Sequence, residues 1–442
     1  MRPLSPFVWW AVVKFAATIV VAPIAAPIVA WRAAANHARA QAQVRALPDQ
    51  LAAVAEGGSP AGAANRVGRL PASTDAVIVS DLHRSYHGRR EWSRVQHTDE
   101  LYEAMLDHYG AAGWHVVENG DTDDFWMVGG STYGARYDTV RLALSVVPGE
   151  WGRRARRSLH RSHLMRIEAD NQAIFDRLAS LGTAGRYHRT VGNHDDVMLD
   201  PWLATIVEER LGVRPVDWIV LAGDDGAEAV ITHGHQTDAW NAPGRALLGR
   251  LATWIANTLA DVPGLDSPES LPGPDQSVDL LEGRRQNRLT GIGSRFGANA
   301  NFDSLDEELL FDAIGEAGTA GPWLILGHTH VPLLSPLSRS GARWARYANA
   351  GHGLWHEMIT AIEWPGSAAA GPEGRVPRLV AWVHADQLSC ADIALEIVTT
   401  GTTTGRGISR VELAPTADGR RLEPVSAAGV AEAADAALGV VQ

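Results

Sequence analysis

Five short polar fragments, each released by the end of an apolar, β-rich run, constrain this chain more than any other feature. In order they are Asp81-Leu82-His83, Gly120-Asp121-Thr122-Asp123-Asp124, Gly192-Asn193-His194-Asp195, His233-Gly234-His235 and Gly327-His328-Thr329-His330. The runs before them, Ala76–Ser80, Trp114–Val117, Tyr187–Val191, Glu228–Thr232 and Trp323–Leu326, read as strands. Helical patterns lie between them. Thr98 can cap a helix to about Tyr109, with Asp99 and Glu100 in its first turn and Leu101, Met105, Leu106 and Tyr109 at helical spacing. Ile167, Ile174, Leu178 and Leu181 mark one face of a single long helix over Leu159–Leu181. Asp200-Pro201 reads as an N-cap followed by proline at the first helical position. This alternation predicts an α/β layered fold, neither all-α nor all-β.

In open α/β sheets ligands bind where strands end, so five such strand ends would bring their side chains to one rim. Asp81, His83, Asp121, Asn193, His233, His328 and His330 are the candidate metal ligands, a supply too rich for one ion. A carboxylate shared between two ions holds them about 4 Å apart. The single cysteine, Cys390, excludes an intrachain disulfide and a cysteine-held zinc site. Oxygen and imidazole donors suit Mn, Fe, Zn or Mg. The formal net charge of −12 argues against nucleic acid as a partner, since a phosphate backbone favours a basic face.

The ordered set of fragments resembles the calcineurin-like metallophosphoesterases, over roughly residues 76–353 and with all five motifs present. The resemblance implies a four-layer α-β-β-α sandwich with helical insertions, and two divalent cations, manganese first among them. The first ion would be held by Asp81, His83, Asp121 and His330, and the second by Asp121, Asn193, His233 and His328, with Asp121 bridging. It further implies that a bridging hydroxide attacks phosphorus in line with the leaving oxygen. His194 would protonate or stabilise the leaving group, Asp124 would orient His194, and His235 would touch substrate; Asp123 competes with Asp124 for the orienting role. Ser80-Asp81-Leu82-His83 and Gly120-Asp121-x-x-Asp124-Phe125-Trp126 are similar to the branch containing UDP-diacylglucosamine hydrolases, from which the chain departs at His194, where arginine is usual. The expected activity is hydrolysis of a phosphate ester or pyrophosphate, on a phosphorylated small molecule or lipid. A soluble nucleotide or cyclic-nucleotide phosphodiesterase and a non-catalytic scaffold of the same fold are the alternatives.

Phe7 to Trp31 is apolar except for Lys14, long enough to cross a bilayer but interrupted by Pro23 and Pro27. Arg32, Arg39 and Arg45 follow it, which favours a membrane-associated protein with a cytoplasmic catalytic domain behind an anchor or interfacial helix. A signal peptide cut near Ala38-Arg39-Ala40 or a helix packed on a cytoplasmic protein are the other readings. Residues 1–32 are set apart on this basis, 33–75 read as helix and linker, 76–365 as the catalytic domain with insertions at 129–157 and 236–322, and 366–442 as a β-rich extension and tail. Arg153, Arg154, Arg156, Arg157, Arg161 and Arg166, with His160 and His163, form a basic cluster that is either a solvated helix face or a dock for an anionic substrate or lipid headgroups. Phe125 and Trp126 read as core residues or pocket lining.

Overall fold

The structure is a computed structural model. It describes residues 66–87, 98–126, 128, 131–145, 147–237, 249–251, 253–254, 322–328, 330, 332–334, 346–353, 358–368, 375–384, 396–398, 407–415 and 422–424, with a few single positions elsewhere.

Fourteen strands are described: β1 (Val67–Pro71), β2 (Ala76–Val79), β3 (His115–Asn119), β4 (Tyr187–Thr190), β5 (Trp218–Gly223), β6 (Gly226–Ile231), β7 (Trp323–Leu326), β8 (Leu333–Leu334), β9 (Tyr347–Asn349), β10 (Met358–Trp364), β11 (Arg378–His384), β12 (Glu396–Val398), β13 (Ile408–Pro415) and β14 (Leu422–Pro424). Five helices accompany them: α1 (Thr98–Ala111), α2 (Thr132–Ser145), α3 (Gly149–Asp170), α4 (Gln172–Thr183) and α5 (Pro201–Leu211). The fold is mixed α/β with two mixed sheets. The smaller runs β1-β5-β6-β7-β9-β8, and the larger runs β12-β13-β11-β10-β2-β3-β4 with β14 beside β13.

Side-chain alternation explains how the sheets stack. On β2, Ala76 and Ile78 join an apolar cluster shared with the smaller sheet, whereas Val77 and Val79 join a second cluster built with the helices. Leu379, Ala381 and Val383 of β11 face the first cluster, and Val380 and Trp382 the second. The helices present Leu101, Met105, Leu164, Ile167, Ile174 and Leu178 to that second cluster. The larger sheet is therefore buried on both faces, with the smaller sheet on one side and helices on the other. The Asp200 cap forms as expected: its carboxylate accepts from the Trp202 N–H at 3.0 Å. Gly212 ends the same helix in the left-handed region, at φ 69°.

Four expectations need correction. The folded region begins before residue 76, because β1 pairs in parallel with β5 from Val67↔Trp218 to Pro71↔Ala222. Its Gly, Arg and Pro read as a linker, but tertiary pairing imposes the strand, and proline is tolerated at this sheet edge. Residue 365 is no domain boundary, since β11 and β13 extend the larger sheet from β10. Residue 157 is no insertion boundary, since it lies inside α3. The single helix over Leu159–Leu181 is two, broken at Asn171, whose side-chain amide donates to Ser85 O at 2.8 Å and Ile167 O at 2.9 Å. The apolar spacing continues across a one-residue break, so periodicity does not register it. The apolar segment from Phe7 to Trp31 lies outside the described residues apart from Ala16, as does most of 236–322. Among the described residues no helix is long and apolar enough to cross a membrane.

Candidate metal centre

β2, β3 and β4 run parallel in the larger sheet, and β6, β7 and β9 run parallel in the smaller. Their carboxyl ends meet at one rim. Asp81 and His83 leave β2, Asp121 and Asp124 leave β3, Asn193 and His194 leave β4, His233 leaves β6, and His328 and His330 leave β7. Backbone bonds lace these turns together: Asp81 N–H to Gly120 O at 3.1 Å, His83 N–H to Asp121 O at 2.9 Å, and Gly327 N–H to His233 O at 2.9 Å. A side chain at Gly192 would collide with the Asp121 carboxylate, and one at Gly327 with Ser80 and Asp81, so glycine is required where the turns cross.

The backbone is strained at the candidate ligands themselves. Asp81 (φ 53°), His83 (45°), Asp121 (48°), His328 (67°) and His330 (59°) are five of the six non-glycine residues with positive φ among those described. Each such residue costs on the order of 1 kcal/mol, and such strain concentrates where function requires it.

The side chains form two sets. Asp81, His83 and His330 make one and Asp121, His233 and His328 the other, with ligand atoms in each set lying within 4.8 Å of one another; His83, Asp124 and His194 make a third such group that shares His83 with the first. His330 Nε2 is 3.1 Å and His83 Nε2 3.8 Å from Asp81 Oδ1. His233 Nε2 is 3.2 Å from Asp121 Oδ2, not aligned to hydrogen-bond it, and 4.0 Å from Asp81 Oδ1, which joins the two sets. Each supporting atom is spoken for. His83 Nδ1 donates to Asp124 Oδ2 at 2.8 Å, and His233 Nδ1 to the Asn119 carbonyl at 3.0 Å. Asp81 Oδ2 accepts from the Ser80 hydroxyl at 2.5 Å and His328 N–H at 2.9 Å, and Asp121 Oδ1 from His194 N–H at 2.7 Å. What remains is a row of buried atoms without a hydrogen-bond partner among the described residues: Asp81 Oδ1, His83 Nε2, Asn193 Oδ1 and His233 Nε2. Orphaned buried polar atoms are costly; here three belong to the two sets and the fourth to Asn193 beside them, and such donors could hold a metal ion.

His194 stands beside the two sets. Its Nδ1 lies 3.0 Å from Asp124 Oδ1, and its ring stacks on Trp126 with centroids 4.6 Å apart. Asp124, not Asp123, is the orienting carboxylate. Asp123 turns away to bond Arg84 Nε at 3.0 Å and Arg189 Nη1 at 2.7 Å. His235 is buried in the short 3-10 turn His235–Thr237, its ring 5.3 Å from that of His233 and 6.3 Å from that of His328. Sequence reasoning missed the buried network beneath the rim, where Asp195 accepts from Gly192 N–H at 2.6 Å and Arg189 Nη2 at 2.9 Å, and Glu118 pairs with Arg84. The carboxylates of Asp195 and Glu118 carry no spacing signal of their own. The basic cluster also divides. His160 and His163 are buried, hydrogen-bonded to Tyr137 and Tyr133, and His163 Nε2 holds the Asp124 carbonyl at 3.1 Å.

Protonation follows this crowding. Burial opposes charge on His83, but Asp124 and Asp81 outweigh it and its pKa lies well above the ordinary value. Burial likewise opposes charge on His233, yet Asp121 and Asp81 raise it from 6.5 to about 9. Burial opposes ionisation of Asp81, but the positive charge of His233 and His330 holds its carboxyl well below its usual range. In the metal-free protein, protons on histidine thus offset the buried carboxylates. A cation must displace them, so affinity tightens as pH rises. The linkage has the same sign. His233, raised in the folded state, contributes stability that is complete below about 6.5 and lost as pH climbs through about 9. Melting temperatures with Mn²⁺ and with chelator should therefore diverge more at pH 9 than at pH 6.5, and a gap that narrows with pH would contradict this account.

The chain matches no family model and no curated protein.

Proposed function

We propose that this chain is a two-metal phosphoesterase of the calcineurin-like metallophosphoesterase type. The row of orphaned buried donors at the converged strand ends, Asp81 Oδ1, His83 Nε2, Asn193 Oδ1 and His233 Nε2, carries this reading. Asp81, His83 and His330 would hold one cation and Asn193, His233 and His328 the other, with Asp121 between them. The thiolate-free oxygen and imidazole donors suit Mn, Fe, Zn or Mg, with manganese the ion proposed first. When bound, the two cations supply Lewis acidity that activates water and neutralises charge on the phosphoryl oxygens. The chain's own residues do the rest. His194, oriented by Asp124 and backed by Trp126, hands a proton to the leaving oxygen as its bond to phosphorus breaks, and regains one from solvent. His235 contacts the substrate from the side of His233 and His328. The four-layer arrangement suits consecutive residues of β5 and β7 that enter one apolar cluster, which buries both faces of the smaller sheet; Val54, helical and fully buried, belongs to the same cluster.

A lipid-linked substrate at a membrane surface is favoured by one further observation. Trp151 (70% exposed) and Trp202 (39%) lie on α3 and α5, which meet at the Arg157–Asp200 bond beside Arg153 and Arg154. Exposed tryptophan with arginine suits anionic headgroups in a chain of net charge −12. With Mn²⁺ the protein should hydrolyse bis-p-nitrophenyl phosphate, and Asp121→Asn or His194→Ala should remove most of that activity, roughly 100-fold or more. Phosphorylated lipids in vesicles should outperform nucleotides in kcat/KM. A metal-replete protein inert on every phosphate ester would refute the reading.

A further inference from the structure

Arg141, on α2, is 3% exposed, and two of its guanidinium nitrogens, Nε and Nη1, have no hydrogen-bond partner among the described residues. Nη2 donates to Asp138 Oδ1 at 2.8 Å. A buried guanidinium short of two partners is expensive, and in native proteins such a group marks a bound ion, water or ligand. Arg189 makes the contrast: equally buried, it lacks a partner only at Nε and meets carboxylates through both Nη atoms.

The position of Arg141 gives its donors meaning. Its guanidinium lies 5.9 Å from the centroid of the Trp126 ring, and that of Arg250 lies 5.4 Å away. Trp126 is the ring on which His194 stacks. Arg250 spends Nη2 on both oxygens of Asp196, at 3.0 and 2.8 Å, and its Nε is also buried without a partner among the described residues. The Trp254 indole N–H reaches Thr139 Oγ1 of α2 at 3.4 Å, so Trp254 also packs against α2. The negative charges already there are Asp138, which takes Nη2 of Arg141, and Asp196, which takes Nη2 of Arg250 and also feels Arg141. Burial, and then Arg141 and Arg250 themselves, hold His160 neutral, well below its ordinary range.

We propose that Arg141 and Arg250 form a second oxyanion subsite beside His194, which binds a tetrahedral anion, phosphate or sulfate, carried on the portion of the substrate that leaves. The inference rests on the phosphoesterase reading, in which His194 marks the side of the leaving oxygen. Guanidinium is the side chain best suited to a tetrahedral oxyanion, and three buried N–H-bearing nitrogens belong to two arginines that flank one tryptophan ring.

Two measurements test this on the full chain. Metal-free protein, kept in chelator, is titrated with pyrophosphate and with sulfate. Wild type should bind, and Arg141→Gln should weaken binding roughly 10- to 100-fold, as expected for lost charge-assisted hydrogen bonds. With Mn²⁺, kcat/KM for a dinucleoside pyrophosphate, whose leaving group is itself a phosphate, is divided by kcat/KM for bis-p-nitrophenyl phosphate, whose leaving group bears no further anion. That ratio should fall roughly tenfold or more in Arg141→Gln. Should Arg141→Gln fail to fold, Arg250→Gln, at a part-exposed position, replaces it, and Arg141→Lys should recover part of the binding but not the full ratio. Equal loss on both substrates, or pyrophosphate and sulfate binding that ignores both arginines, overturns the subsite. Inactivity on both esters with arginine-dependent binding intact overturns the phosphoesterase reading instead.

Discussion

Replacing Asp124 by asparagine should lower kcat by roughly two to four orders of magnitude and, as a separate effect, weaken the metal set containing His83 about 10- to 100-fold. The reason is that one carboxylate serves two histidines. Asp124 Oδ2 takes the His83 Nδ1–H at 2.8 Å, while Oδ1 takes the His194 Nδ1–H at 3.0 Å and the Trp126 N–H at 2.6 Å. An amide of the same shape has one acceptor oxygen and one donor nitrogen, so it cannot accept from both rings. If His83 yields, its tautomer reverses and Nε2 presents a proton where a lone pair is needed. If His194 yields, the proton donor loses its aim. Asp124 is fully buried, and although burial opposes its ionisation, the His194 and His83 contacts hold its carboxyl well below the usual range, so the charge is present at any working pH. Mn²⁺ titration by calorimetry beside steady-state kinetics separates the two effects. An asparagine variant with kcat within about threefold of wild type and two ions bound as tightly would show that Asp124 positions neither histidine.

The rim was legible because strand ends and ligand-type residues coincide in the chain. Trp323–Leu326 and Met358–Trp364 form strands at the limits their apolar runs imply. The seven candidate ligands lie together at the strand ends, six of them in two separate sets, with Asn193 contributing its orphaned oxygen. What stayed hidden depends on three-dimensional neighbours. Val67–Pro71 lacks strand propensity and becomes a strand through β5. Asp123 and Asp124 are chemically identical neighbours, and only the turn after β3, with Arg84 and Arg189 on one side and His83 and His194 on the other, separates a structural carboxylate from an orienting one. Trp126 reads as core by composition and is core by burial, yet its ring is also the support of His194. The positive φ of five ligands is not legible in sequence because aspartate and histidine, although enriched in that region, mostly adopt negative φ.

The loop carrying His328 and His330 should yield two variants that each bind one ion fewer and lose different ions. His330 Nε2 approaches Asp81, whereas the His328 side chain groups with Asp121 and His233. The His328 backbone N–H meanwhile holds Asp81 Oδ2 at 2.9 Å, so one short turn ties both sets together. Glycine is the informative replacement. At φ 67° and 59° it removes the imidazole without adding the strain an alanine Cβ would keep. His328→Gly and His330→Gly should each retain one tightly bound Mn²⁺ and lose kcat/KM on the order of 100-fold or more, since charge neutralisation by the missing ion goes with it. Adding His83→Asn identifies the ion lost. With His330→Gly it removes a second ligand from a set already empty, and stoichiometry stays near one. With His328→Gly it disables the remaining set, and stoichiometry falls toward zero. The activity of the double variants should be far from additive, because the chemistry needs both ions and removing the second costs little more once the first is gone. If each single glycine variant loses both ions, the two sets bind as one cooperative centre, and the division of His328 from His330 is wrong.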